Sequence, residues 1–126
     1  MSILSAGILI RDLLLADADV TAITSKVFPV VVDEAKLPYI VYTRSSMSHD
    51  PVKGDCPGAD TSIYEIGCCA ATYKDSISLA EAVRNALLYK KVSRGDDVLR
   101  SCYMSDAKED YEGDAFVQRL YFTIKV

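Results

Sequence analysis

The sequence predicts an α+β domain: an antiparallel, mixed-length β-sheet of about five strands with two main helices packed on one face. Three observations carry that prediction. Two stretches repeat apolar residues at the helical period, and others alternate at the period of two that a half-buried strand requires. Gly, Pro and Asp then divide these stretches into the order helix, three strands, helix, two strands. With 126 residues, half of them apolar and a quarter charged, the chain has the length and balance of one globular domain, residues 1–126.

Residues 2–16 read as the first helix, with Ser2 placed to cap it. Projected at about 100° per residue, Ile3, Ala6, Ile10, Leu13 and Leu14 form one apolar stripe and Leu4, Ile8 and Leu15 a second. A helix on one sheet needs only the first stripe, so the second is expected to be covered by a loop of the same chain or by another subunit. Asp17 or Asp19 can cap a short turn that points Val20 and Ile23 inward.

Residues 27–32 read as a short strand broken by Pro29, which suits an edge or a bulge. Residues 38–45 are a better strand, with Ile40 and Tyr42 alternating against Tyr39 and Val41. Two prolines, two glycines and many small polar residues make 44–60 a long loop or open hairpin, of a length that is more often functional than idle. The strand over 61–72 sets Tyr64, Ile66, Cys68 and Ala70 against Ile63, Glu65, Gly67 and Cys69. Asp75 can cap the second long helix, whose stripe is Ile77, Ala80, Val83 and Leu87. After a turn at 94–97, the last two strands are expected over 98–105 and 115–126, joined by an acidic hairpin tip at 106–114. In the final strand Phe116, Leu120, Phe122, Ile124 and Val126 face the core, and Arg119, Thr123 and Lys125 face water.

Net charge is −4, and the tip alone, with five acids against one lysine, accounts for it. Without a basic run interleaved with aromatics, nucleic-acid binding is disfavoured. The longest apolar runs fall far short of the roughly 20 residues of a membrane span, and the first residues lack signal-peptide features, so the chain is expected to remain in the cytosol where it is made, its cysteines reduced. Chemistry finds little to build on. The one histidine, His49, lies in the 44–60 loop, where a site with Asp50 and Cys56 would lack rigid support. Cys56, Cys68, Cys69 and Cys102 lack metal-ligand spacing; the last three are expected to be buried as small hydrophobes and Cys56 to be an exposed thiol. Acids crowded on one hairpin form a solvated tip more often than a carboxylate pair, and the glycines are scattered singly, so no phosphate loop is expected. No catalytic, cofactor or metal residue is therefore assigned.

Three stretches taken in order carry a family resemblance. They are Leu13-Leu14-Leu15 followed by Asp19-Val20 and Ile23; Val27-Phe28-Pro29 followed by Leu37-Pro38-Tyr39-Ile40-Val41-Tyr42; and the strand from Ile66 to Thr72 leading into Leu79-Ala80-Glu81-Ala82-Val83-Arg84-Asn85-Ala86-Leu87. Together they resemble the tail completion, or tail terminator, family of long-tailed bacteriophages and prophages. The resemblance implies a structural subunit that forms a homo-oligomeric ring, usually of six, on the head-proximal end of the tail tube. There it would stop tube growth and join tail to head, contacting the tail tube protein and head-tail connector proteins while DNA passes without specific binding. It also implies a virion protein assembled in the bacterial host cytoplasm, with no catalytic motif. On that reading Leu4, Ile8 and Leu15 are the candidate subunit interface, Arg44, Met47, His49 and Lys53 the candidate partner-contacting loop, and Asp106, Glu109, Asp110, Glu112 and Asp114 the candidate channel-facing acids. Another neck component, such as a connector or stopper, and a small cytosolic ligand-binding module are the alternatives.

Overall fold

A five-stranded sheet with helices on one face organises the chain. The computed structural model describes residues 3–33, 35–49, 60–94 and 97–126. After a single 3-10 turn, Ile3–Ser5, come helices α1 (Ala6–Ala16) and α2 (Ala18–Ile23), strands β1 (Val27–Pro29), β2 (Tyr39–Ser48) and β3 (Thr61–Ala70), and helix α3 (Tyr73–Leu87). Strands β4 (Val92–Arg94), β5 (Asp97–Leu99), β6 (Ser101–Glu112) and β7 (Ala115–Lys125) complete the chain. The main sheet runs β1-β2-β3-β7-β6, and β4 and β5 form a separate ribbon. Every pairing is antiparallel except β1 with β2.

That parallel pair departs from the expected antiparallel sheet. Two neighbouring strands can run parallel only if the chain crosses a face of the sheet between them. Here the crossing starts at Val30, whose φ of 63° turns the chain while its amide still donates to the Tyr42 carbonyl at 2.8 Å. The predicted strand over 27–32 is thereby cut to three residues. The crossing carries Leu37 onto Cys69, Ala115, Val117 and Tyr39, so the face opposite the helices is partly covered by the chain itself. Thr123 is buried there and Arg119 half-buried, where the sequence pattern put both in water.

The main core lies between that sheet and the helices. Ile40, Ile66, Phe122 and Ile124 meet Leu9, Ile10, Leu14, Leu79, Val83 and Leu87, all buried. The Asp17 carboxylate caps α2 by accepting from the amides of Asp19 and Val20, and Val20 is buried, but Ile23 stays exposed. Helix α3 is capped by Thr72, whose hydroxyl accepts from the Asp75 amide at 3.1 Å. Asp75 therefore sits inside the first turn, where its charge favours the helix N-terminus, and is not the cap itself. The inner face of α3 is broader than the predicted stripe: Leu79, Ala82 and Ala86 are buried and Ile77 only partly so.

Part of the expected loop or open hairpin at 44–60, and most of the expected acidic hairpin tip at 106–114, are strand. Strand β2 continues through Arg44 to Ser48, with a bulge at Ser45, so the expected 44–60 loop begins only at His49. Strand β6 takes in the acidic segment, with a bulge at Ser105, and the hairpin turn shrinks to Gly113 and Asp114. Both turn residues have positive φ, 57° and 63°, as a two-residue turn matching the sheet's twist requires. Pairing with β7 holds four of the acids extended, Asp106 opposite Tyr121, Glu109 opposite Gln118, Asp110 opposite Val117 and Glu112 opposite Ala115.

Candidate functional site

Helix α1 packs on the β1–β2 end of the sheet through Ala6, Leu9, Ile10 and Leu14, and through Gly7. A Cβ on Gly7 would stand 3.3 Å from the rings of Tyr42 and Tyr64 and from the Tyr64 hydroxyl. Glycine costs a helix interior roughly 1 kcal/mol relative to alanine, and here that cost admits two tyrosine rings against the backbone. The outer side of α1 and of the turn before it carries exposed apolar side chains beside Arg11 and Asp12. Leu4 and Ile8 are exposed, whereas Leu15, predicted on the same stripe, packs partly onto the chain's own core. Beside them a groove of about 430 Å³ opens between α1 and β2, lined by Leu4, Ile8, Pro29, Val30, Tyr42 and Arg44. The Arg44 guanidinium donates to the Leu4 carbonyl at 3.4 Å. Burial pushes the Tyr42 hydroxyl above its usual pKa, with nearby Arg11 opposing.

The other edge of the sheet, β6, is aromatic and acidic. Tyr111 and Tyr73 both pack edge-on against Phe116, with ring centroids 5.0 and 6.0 Å away. Glu109 accepts from the Gln118 amide at 2.9 Å and is held below the usual carboxylate range by its hydrogen bond with Tyr73 first and with Gln118 second. Tyr103 is exposed, and the Tyr89 amide donates to the Cys102 carbonyl at 2.7 Å.

On the face opposite the helices, Arg119 gathers three acids. Its guanidinium reaches Glu112 at 2.6 Å, Glu65 at 3.2 Å and Asp110 at 3.6 Å. Glu65 also accepts from the Tyr121 hydroxyl at 3.2 Å, and the Lys108 ammonium stands 5.4 Å above the Tyr121 ring.

The predicted acids are therefore divided. Side chains alternate along β6, so Asp106, Asp110 and Glu112 share the face of Arg119 while Glu109 lies on the helix side and Asp114 in the turn. Among the candidate loop residues, Arg44 lines the α1 groove, Met47 is exposed on β2, and His49 pairs with Asp60 at 2.5 Å. Lys53, Asp50 and Cys56 lie outside the described residues. Cys68, Cys69 and Cys102 are buried free thiols, and burial pushes the Cys102 thiol up to about 12. Among the described residues, none cluster in a way that could hold a metal ion. Sequence reasoning missed Val30 and Val31, which it read as strand, and the exposed tyrosines Tyr73, Tyr89, Tyr103 and Tyr111. Their one signal was three valines directly after a proline that ends a strand.

Two unlike edges, one apolar and one aromatic and acidic, on a complete α+β core define a structural, assembly-type protein. The tail completion protein gp17 family matches residues 9–126, and the chain belongs to that family. Its fold is shared by a chain from the virion of a native gene transfer agent particle, with a TM-score of 0.73 over 93% of this chain and 90% of that one, at 18% identity. The curated proteins contain no match. The protein is a structural phage virion protein, located in the tail or neck.

Proposed function

We propose that this chain is a tail terminator, a subunit that closes with identical copies into a ring, usually of six in the family it resembles, and that the ring caps the tail tube and joins it to the head. One observation carries the reading beyond the family. The inner side of α1 fills the core with Ala6, Leu9, Ile10 and Leu14, while Leu4 and Ile8, 62% and 63% exposed, stand on the outward side. Apolar side chains clustered on a surface mark a contact with another molecule.

On this reading the partners are other copies of the chain, the tail tube protein and the head-tail connector proteins. The β2–β3 end, with Met47 and His49, faces tube or connector, and the β6–β7 turn, with Asp110, Glu112 and Asp114, faces the channel. Negative charge at a channel repels DNA phosphates, so the DNA slides without sticking. The role is structural and needs no cofactor. Light scattering of the purified protein across concentrations tests the reading: a hexamer is expected, and a monomer that never adds to purified tail tubes would refute it.

A further inference from the structure

Exposed apolar and aromatic side chains are not spread evenly over this molecule. Of ten large ones among the described residues, Leu4, Ile8 and Val30 stand at the α1–β1 edge, and Tyr73, Tyr89, Tyr103 and Tyr111 stand on or beside β6. Strand order puts β1 and β6 at opposite ends of the sheet. The two groups differ in chemistry as well as place. Ile8 is 63% and Val30 69% exposed, and they frame a groove that also holds the Arg44 guanidinium, with Arg11 close to Tyr42. The β6 edge offers Tyr103 and Asp106 on the face opposite the helices and Tyr73 and Tyr111 beside Glu109 on the helix side, with Lys108 the lone base of the strand. Aliphatic groups beside arginine meet tyrosines beside carboxylates well, since aromatic residues and Arg dominate the buried centres of interfaces.

Neither edge is built to extend the sheet. The outer strand at one end is only three residues long and closes on Pro29, and the other carries a bulge at Ser105 and charges on both faces. Contact must then be made by side chains, with the strands of two copies left unpaired.

Resting on the ring reading above, we infer that the occupant of the α1–β1 groove is the β6 edge of a second copy of this chain, Tyr103 and Asp106 of that copy approaching Ile8, Val30 and Arg44. Because the two surfaces differ and lie at opposite ends, each copy uses one on each side. Such a contact is heterologous and propagates, where a self-complementary patch would stop at a dimer.

Two variants each spoil one edge: Ile8→Glu/Val30→Glu for the groove and Tyr103→Ser/Asp106→Asn for β6. All four positions lie outside the described core, and circular dichroism with thermal unfolding checks that each variant folds; Ile8→Ser and Asp106→Asn are milder replacements if either does not. By light scattering each variant alone loses the wild-type oligomer, its self-association weakened at least about thirtyfold. Mixed, they form a 1:1 pair and stop, because only one productive contact remains. A wild-type oligomer that both variants retain overturns this interface and leaves the ring reading standing, as does a variant that dimerises by itself. A wild-type chain that is monomeric at every concentration overturns this interface, and one that also never adds to purified tail tubes removes the ring reading with it.

Discussion

Replacing Arg119 with methionine keeps the side-chain stem and removes the charge that Glu65, Asp110 and Glu112 share. The Arg119 side chain is 24% exposed and that of Glu65 27%, so their 3.2 Å bond is partly shielded from water, and a charge-assisted bond there contributes about 1 kcal/mol or slightly more. Glu112 and Asp110 are more than half exposed, which limits each of those pairs to about 0.5 kcal/mol. The expected loss is about 2 kcal/mol. Unfolding entropy near 2.1 cal/mol/K per residue makes 1 kcal/mol worth about 4 °C for a chain of this length, so the melting temperature should fall by about 8 °C. Double-mutant cycles with Glu65→Gln and Glu112→Gln, followed by urea unfolding at low salt and at 1 M, divide the loss. Coupling to Glu65 should be the larger and should survive at 1 M, where screening acts over about 3 Å, whereas coupling to Glu112 should vanish. An Arg119→Met protein within 0.5 kcal/mol of the parent (roughly the scatter of neutral surface changes), or a stronger coupling to Glu112, would refute the reasoning.

Three other changes probe separate parts of the fold. Gly113→Ala puts a side chain at φ 57° with nothing within 4 Å, so only backbone strain is added; about 1 kcal/mol should be lost in urea unfolding, with faster amide exchange near the turn. Phe122→Ala, at a fully buried position, should cost about 4 kcal/mol and lower the melting temperature by about 15 °C in calorimetry. Glu109 has a depressed folded pKa, so its contribution to stability is present above its ordinary value of 4.5 and is lost as pH falls through the folded value. Tyr73→Phe should raise the Glu109 titration seen by NMR and reduce the acid-side loss of stability; an unmoved titration would show that Tyr73 does not hold it.

What was legible in the sequence was whatever leaves a period. Helices α1 and α3 and strands β3 and β7 each pack one side on a common core, and Ile10, Leu14, Val83, Ile66 and Phe122 mark those sides. The parallel β1–β2 pair left no such mark, because nothing in Val30-Val31-Val32 distinguishes an apolar crossing from an apolar strand. The acidic part of strand β6, beyond the strand expected over 98–105, was hidden for the opposite reason. An edge strand needs one neighbour and no apolar face, so Asp106, Lys108, Asp110 and Glu112 read as a hairpin tip until β7 supplied partners for them. The second stripe of α1 was visible, but its division was not: Leu15 turns toward the end of the core, while Leu4 and Ile8 lie over its open side.

The form of the two edges also bears on why copies would close into a ring. A heterologous contact closes only if its rotation divides a full turn, and otherwise it runs on into a filament. Sheet edges joined by main-chain bonds invite the second outcome, since each added strand presents a fresh edge. Here Pro29 and the left-handed Val30 end one edge, and the Ser105 bulge and charged side chains guard the other. What remains for contact is the side-chain surface of α1 and of β6, whose angle is set by the rigid core between them. On that reading the same residues that end the sheet also fix the rotation between copies, so a substitution that restores strand pairing, such as Pro29→Val, should favour open, higher-mass assemblies in light scattering without altering the core; an unchanged size distribution would count against it.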